Sequence, residues 1–100
     1  MLYILSGEDI PNSTELRARA RPAHLARLDS LQSEGRLVLA GPIPAINAVD
    51  HGPAGFAGSL IVAEFDSLEQ AEAWLAADPY AKTGVFAETK VQPFKQVFPR

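Results

Sequence analysis

The sequence has no cysteine among its 100 residues, so neither a disulfide framework nor thiolate chemistry is available to it. This fits a reducing compartment, and a cytoplasmic location is expected. Positive charge is also short: 9 Lys and Arg against 12 Asp and Glu leave a net charge of −3. A general nucleic-acid binder needs a basic field to neutralise phosphates, so no nucleic-acid partner is expected. No apolar run approaches the ~18 residues of a membrane span, so no membrane partner is expected either. The opening stretch, Met1 to Asp9, is apolar at its start but lacks the basic segment and the length of a signal peptide. It reads as a first strand. Repeats and low-complexity segments are missing.

Several chemistries are excluded by missing motifs. The two histidines, His24 and His51, are far apart, and no Cys/His cluster or HExxH pattern supplies a metal site. There is no phosphate-binding P-loop. The glycines around Gly52, Gly55 and Gly58 miss the dinucleotide fingerprint and do not lie between a strand and a helix. No nucleophile elbow is present. No metal or cofactor is therefore expected.

What is present is one domain, residues 1–100, with 47% hydrophobic and 21% charged residues. Its most informative stretch is Asn12 to Gly35, which reads as one long helix. Asn12 with Glu15 three residues on resembles a capping box, and Gly35 supplies a left-handed C-terminal cap. Pro22 lies inside and is expected to bend the helix rather than divide it. At ~100° per residue, His24, Arg21 and Arg17 fall roughly within 40° of Leu28, on the apolar face. Such a face rarely turns two guanidinium groups and an imidazole inward. Either the helix borders a polar pocket, or the arginines reach out to water.

The remaining elements follow in order. Residues 1–6 form a strand, with Gly7 to Pro11 read as a turn. Leu37 to Ala40 form a second, ending at Gly41-Pro42, and Pro44 to Gly58 reads as a loop. Ser59 to Phe65 form a third strand. Ser67 with Gln70 is a capping box for a second helix carrying Leu68, Ala71, Trp74 and Leu75 on one stripe. That helix stops near Asp78, and Pro79 opens a short turn ending at Gly84. Phe86 to Phe98 form a fourth strand, which Pro93 makes an edge strand or bulged.

The order βαββαβ points to an α+β, ferredoxin-like sandwich with both helices on one face of an antiparallel sheet. RNA-recognition domains share this order, but the third strand offers Leu60, Ile61 and Val62 where they need aromatics. The first three strands are apolar on both faces, so the sheet face opposite the helices would be a bare hydrophobic patch. A second copy packed sheet to sheet is the simplest cover, and a homodimer is expected.

His24 is the first candidate for chemistry, because histidine titrates near neutral pH. The structural alternative is a hydrogen-bonded core imidazole. Arg17 and Arg21 suit an anionic substrate, or else form surface salt bridges with Glu15 as a candidate partner. Asp78 is the second candidate. It reads locally as an N-cap before Pro79, and it could also reach His24 and fix its tautomer. His51 reads as a solvated loop residue.

Taken together, Glu8 to Ser13, Arg21-Pro22-Ala23-His24-Leu25, Glu34 to Leu37 and Ala40-Gly41-Pro42 resemble the YciI-like, or YCII-related, family of small bacterial proteins. Gly55 to Ser59, Glu64 to Ser67, Ala77-Asp78-Pro79-Tyr80 and Val91 to Lys95 extend the resemblance over essentially the whole chain. The resemblance implies a dimeric α/β barrel made of two ferredoxin-like halves. It also implies an active-site pair of a first-helix histidine and an aspartate after the second helix, which map onto His24 and Asp78. Pro22 departs from the ordinary helix formers of the family. Where an activity is assigned in the family, it is loss of HCl from a chlorinated hydroxyquinol, a lyase reaction without a redox cofactor.

The expectation is a cofactor-free enzyme of lyase or isomerase type, acting on a small anionic or hydroxylated-aromatic substrate. His24 and Asp78 would move the proton, and Arg17, Arg21 and Tyr80 would contact the substrate. The alternatives are a non-catalytic metabolite-binding module and a structural dimer.

Overall fold

In a computed structural model covering Met1–Arg100, the first strand, β1 (Leu2–Asp9), buries Tyr3, Leu5 and Gly7 on one face and half-buries Leu2, Ile4 and Ser6 on the other. Helix α1 (Thr14–Ser33) follows, then β2 (Leu37–Pro44), a 3₁₀ turn (Gly52–Ala54) and β3 (Phe56–Glu64). Helices α2 (Leu68–Ala76) and α3 (Pro79–Lys82) lead to β4 (Phe86–Phe94). The sheet order is β2-β3-β1-β4 with every pairing antiparallel, the ferredoxin-like arrangement expected from βαββαβ. No helix is long and apolar enough to cross a membrane.

The core forms where the inner face of the sheet meets the helices. Tyr3, Leu5, Ile61 and Ala63 from β1 and β3 pack against Leu31 of α1 and Ala71 and Leu75 of α2. Helix α1 runs through Pro22 as one element. It ends in a Schellman motif: Arg36 N–H bonds the Leu31 carbonyl, Gly35 N–H bonds that of Gln32, and Gly35 takes φ +73°. On the outer face, Leu39, Val62, Ile4 and Gln92 form one row across all four strands. Leu39 and Ile43 there are 50% and 45% exposed.

The structure corrects several boundaries. The expected Asn12 capping box is absent: Ser13 is the N-cap, Asn12 sits at φ 59°, and the Ser13 hydroxyl donates to Asp9 at 2.6 Å instead. The first strand does not turn at Gly7. It pairs with β3 as far as Glu8 and with β4 as far as Asp9, because Gly7 leaves room for the Phe86 ring; a Cβ there would lie 2.6 Å from that ring. The second strand reaches Pro44 and the third begins at Phe56, so the intervening loop is shorter than its composition suggested. Proline is tolerated at 42 and 44 because β2 is a sheet edge. The fourth strand, also an edge, stops at Phe94 rather than Phe98. Leu68, expected on the apolar stripe of α2, is 41% exposed.

Candidate functional site

The buried residues of α1 are Arg17, Ala20, His24 and Leu31, so the inward stripe is half polar. The choice posed by the helix pattern divides: Arg17 and His24 turn inward, whereas Arg21 stays exposed. A cavity of about 550 Å³ opens between α1 and the inner face of β2 and β3. Its walls include Leu25 and Leu28 of α1, Ala40 and Pro42 of β2, Ile61 of β3, Phe56 and Tyr80, with Arg17, Arg21, His24, His51 and Ser59 as polar groups. A concave, largely apolar site with a few convergent polar groups is the usual form of a small-molecule pocket.

Two buried carboxylates organise the polar groups. Asp78 ends the turn after α2 in extended backbone, with Pro79 at the first position of α3, and its carboxylate accepts Tyr80 N–H at 3.0 Å as an N-cap. The same carboxylate, fully buried, accepts His24 Nδ1–H at 2.9 Å and Arg27 Nη1–H at 3.1 Å. Local capping and the imidazole partner are one group. The Arg27 guanidinium lies over the Trp74 ring at 4.1 Å and compensates the charge of Asp78. With Nδ1–H committed to Asp78, the other nitrogen of His24 is the basic one. It has no protein partner and is not sealed from solvent, so it opens on the cavity.

The second carboxylate is Asp9, whose side chain is 1% exposed. It accepts Arg17 Nε–H at 2.6 Å and Nη2–H at 2.9 Å, a bidentate pair. Arg17 Nη2 also donates to the Gly58 carbonyl at 2.8 Å and to Ser59 Oγ at 2.9 Å. The guanidinium packs against the rings of Phe56 and Tyr80, 5.1 and 4.8 Å from their centroids. Glu15, the candidate surface partner, pairs with Arg19 instead, in the open. Arg21 lines the cavity, is exposed, and has no carboxylate partner.

Tyr80 stacks on His24, with ring centroids 4.0 Å apart and planes 19° from parallel. Burial pushes its phenol above the ordinary 10.0, while the Arg17 and Arg21 guanidiniums pull the other way. A folded-state value above the unfolded one favours the native state below pH ~10 and loses that contribution as pH rises through the folded value. In an alkaline spectrophotometric titration with Tyr80→Phe as the blank, the Tyr80 phenolate is expected later than that of a free tyrosine. Ionisation at or below the free value would contradict the burial argument.

Sequence reasoning placed His24, Asp78, Arg17, Arg21 and Tyr80, and the structure gathers all five around one cavity or its immediate support. It missed Asp9, Ser59 and Arg27. Arg27 lies one turn after His24 and was open to discovery from helix spacing; Asp9 was hidden in a supposed turn. His51 is not a freely solvated loop residue. It is half-buried, rests against Phe56 at 4.2 Å and faces the cavity, because the turn at Gly52–Ala54 folds back over β3.

Comparison with known proteins adds to this geometry. The model of the YCII-related domain matches residues 1–95. Protein YciI of Escherichia coli O6:H1 is 54% identical over 98 residues, spanning 98% of this chain and 100% of that one. An uncharacterized protein of Haemophilus influenzae is 49% identical over the same extent. Among solved structures, the 5-chloro-2-hydroxyhydroquinone dehydrochlorinase of Burkholderia phenoliruptrix, in complex with 2,5-dihydroxybenzoquinone, superposes with a TM-score of 0.83. It is 28% identical, with 95% of this chain and 94% of that one covered.

Proposed function

The chain belongs to the YCII-related domain family, and from that premise we propose that it is a small-molecule enzyme of lyase or isomerase type in which His24 transfers a proton and Asp78 holds it. The observation that carries this reading is the hydrogen bond from His24 Nδ1–H to the fully buried Asp78 carboxylate, which leaves Nε2 as the free base on the cavity side. In the forward step Nε2 accepts a proton from a hydroxyl or an activated C–H of the substrate. Asp78 stabilises the imidazolium that results. The electron pair released then either expels a leaving group from a neighbouring carbon or returns to a proton at another position. The first course is a lyase reaction of the kind named for the dehydrochlorinase, and the second an isomerisation.

The active unit is proposed to be a homodimer, paired through the exposed Leu39 and Ile43 of β2 with the half-buried Ile4 on the same sheet face. The test compares the wild type with His24→Asn on 5-chloro-2-hydroxyhydroquinone, reading chloride release, and on hydroxylated aromatics in D₂O, reading proton exchange. The variant is expected to lose about 100- to 10,000-fold in rate while melting temperature and sedimentation stay those of the wild-type dimer. Loss of the fold would make His24 a structural residue, unchanged rates would remove it from the chemistry, and a monomer at micromolar concentration would remove the dimer.

A further inference from the structure

The chain has two histidines, and both line the same cavity. The proton transfer proposed above uses only His24. His51 stands at the head of the 3₁₀ turn Gly52–Ala54, in a loop closed at its base by Ala45 N–H donating to the Gly55 carbonyl at 3.0 Å. The same loop presses on α1: Gly55 takes φ +71°, and a Cβ there would lie 2.7 Å from Thr14 Oγ1. The backbone that carries His51 is thus anchored at its base and against α1.

His51 Nδ1 lies 2.9 Å from the Gly52 carbonyl, and a carbonyl only accepts, so Nδ1 carries the hydrogen. That leaves Nε2, which has no partner in the chain, to take up or give a proton. His24 is set the same way, with Asp78 in the place of the carbonyl. Between the two runs a row of planar groups. His51 rests on Phe56 at 4.2 Å, Phe56 on the Arg17 guanidinium at 5.1 Å, Arg17 on Tyr80 at 4.8 Å, and Tyr80 on His24 at 4.0 Å. A histidine therefore stands at each end of one cavity wall. The Phe56 ring and the permanently charged Arg17 pass no proton along it, so the histidines are separate carriers.

We propose that His51 is a second catalytic group of the cavity, giving a proton to one end of the ligand when His24 has taken one from the other. This rests on the reading of His24 as the base. His24 Nε2 accepts the proton of a substrate hydroxyl or C–H, and the freed electron pair moves through the ligand. In an isomerisation that pair bonds the Nε2 proton of the His51 imidazolium at a new position. In an elimination it expels an oxygen leaving group, which takes that proton as it departs. His51 ends neutral and His24 ends as the imidazolium; both return to their starting states by exchange with water, and no redox partner enters. A halide leaves as a stable anion and needs no acid. The second carrier instead equips this chain for tautomerisation, or for loss of water or an alcohol.

The wild type, His24→Asn and His51→Gln are compared in two assays. Deuterium entry into the ring of resorcinol in D₂O needs both carriers, because a ring carbon receives one proton while a hydroxyl gives one up. Chloride release from 5-chloro-2-hydroxyhydroquinone needs the base alone. His51 is half-buried in a loop, so its variants should keep the wild-type melting temperature. His51→Gln is expected to lose about 100-fold or more in deuterium entry and less than about 3-fold in chloride release, whereas His24→Asn loses both. Imidazole added to His51→Ala should restore part of the deuterium entry, which a merely structural role would not produce. Apart from turnover, the two histidine ring signals can be assigned by NMR from the two variants, and resorcinol should move both. Deuterium entry at the wild-type rate in His51→Gln, equal loss of both activities there, or a ligand that moves only the His24 signal overturns the proposal and leaves the His24 reading in place. A wild type that performs neither reaction, with neither signal moved, overturns both.

Discussion

Asp78→Ala is expected to lower the melting temperature by roughly 12–24 °C and to abolish turnover in whatever molecules remain folded. The carboxylate is fully buried and serves His24, Arg27 and the first turn of α3 at once, so its loss strands three donors. Removing one partner of a buried ion pair costs about 3–5 kcal/mol, and the lower figure applies because Arg27 is partly exposed and can turn to water. For a domain of this size each kcal/mol shifts the midpoint by about 4–8 °C. Asp78→Asn separates the two roles. Its carboxamide can still cap α3, but its NH₂ can donate to Nδ1 and transfer the imidazole hydrogen to Nε2, which then has no lone pair for the substrate. Nitrogen chemical shifts of His24 should report the change of tautomer, together with a loss of about 100- to 10,000-fold in rate. If the asparagine variant retains both wild-type tautomer and wild-type rate, Asp78 is a cap and nothing more.

The parts legible in the sequence were those written in local patterns. Apolar runs placed four strands, Gly35 ended the long helix, Ser67 opened the second, and Pro93 marked an edge. The polar stripe on α1 was visible as an anomaly because 3.6-residue periodicity brings Arg17, Arg21 and His24 together whatever lies opposite them. What lies opposite was not legible. Asp9 meets Arg17 only because β1 continues past Gly7, and that depends on Phe86, 79 positions away, filling the space a side chain would need. The Asn12 capping box failed because Asn12 takes φ 59° and the helix starts one residue later, with the Ser13 hydroxyl turned to Asp9. His51 looked solvated because Gly and Pro around it signal a loop, and a signal for a loop carries no information about what the loop covers.

The Asp9–Arg17 pair carries the largest stability effect expected in the molecule. Asp9→Ala leaves a guanidinium 6% exposed with no counter-ion, and it also removes the acceptor of the Ser13 hydroxyl at the start of α1. About 3–5 kcal/mol follows from the stranded charge, which is a large share of the ~5–15 kcal/mol by which a domain is stable. A fall in melting temperature on the order of 15–30 °C should be seen by calorimetry. The double variant Asp9→Leu with Arg17→Met decides the cause. If the cost lies in the unpaired charge, apolar groups of similar volume should recover most of the loss, since a buried pair is worth little more than good packing. If the cost lies in lost positioning, the double variant stays as unstable as the single, and the coupling energy of the cycle is near zero. The first outcome has a functional corollary. The Arg17 guanidinium is wedged between Phe56 and Tyr80 and bonded to Gly58 and Ser59, so the methionine protein can be stable and still have a slack cavity wall. Recovered melting temperature with unrecovered ligand binding would identify Arg17 as the brace that holds the Tyr80 ring in place.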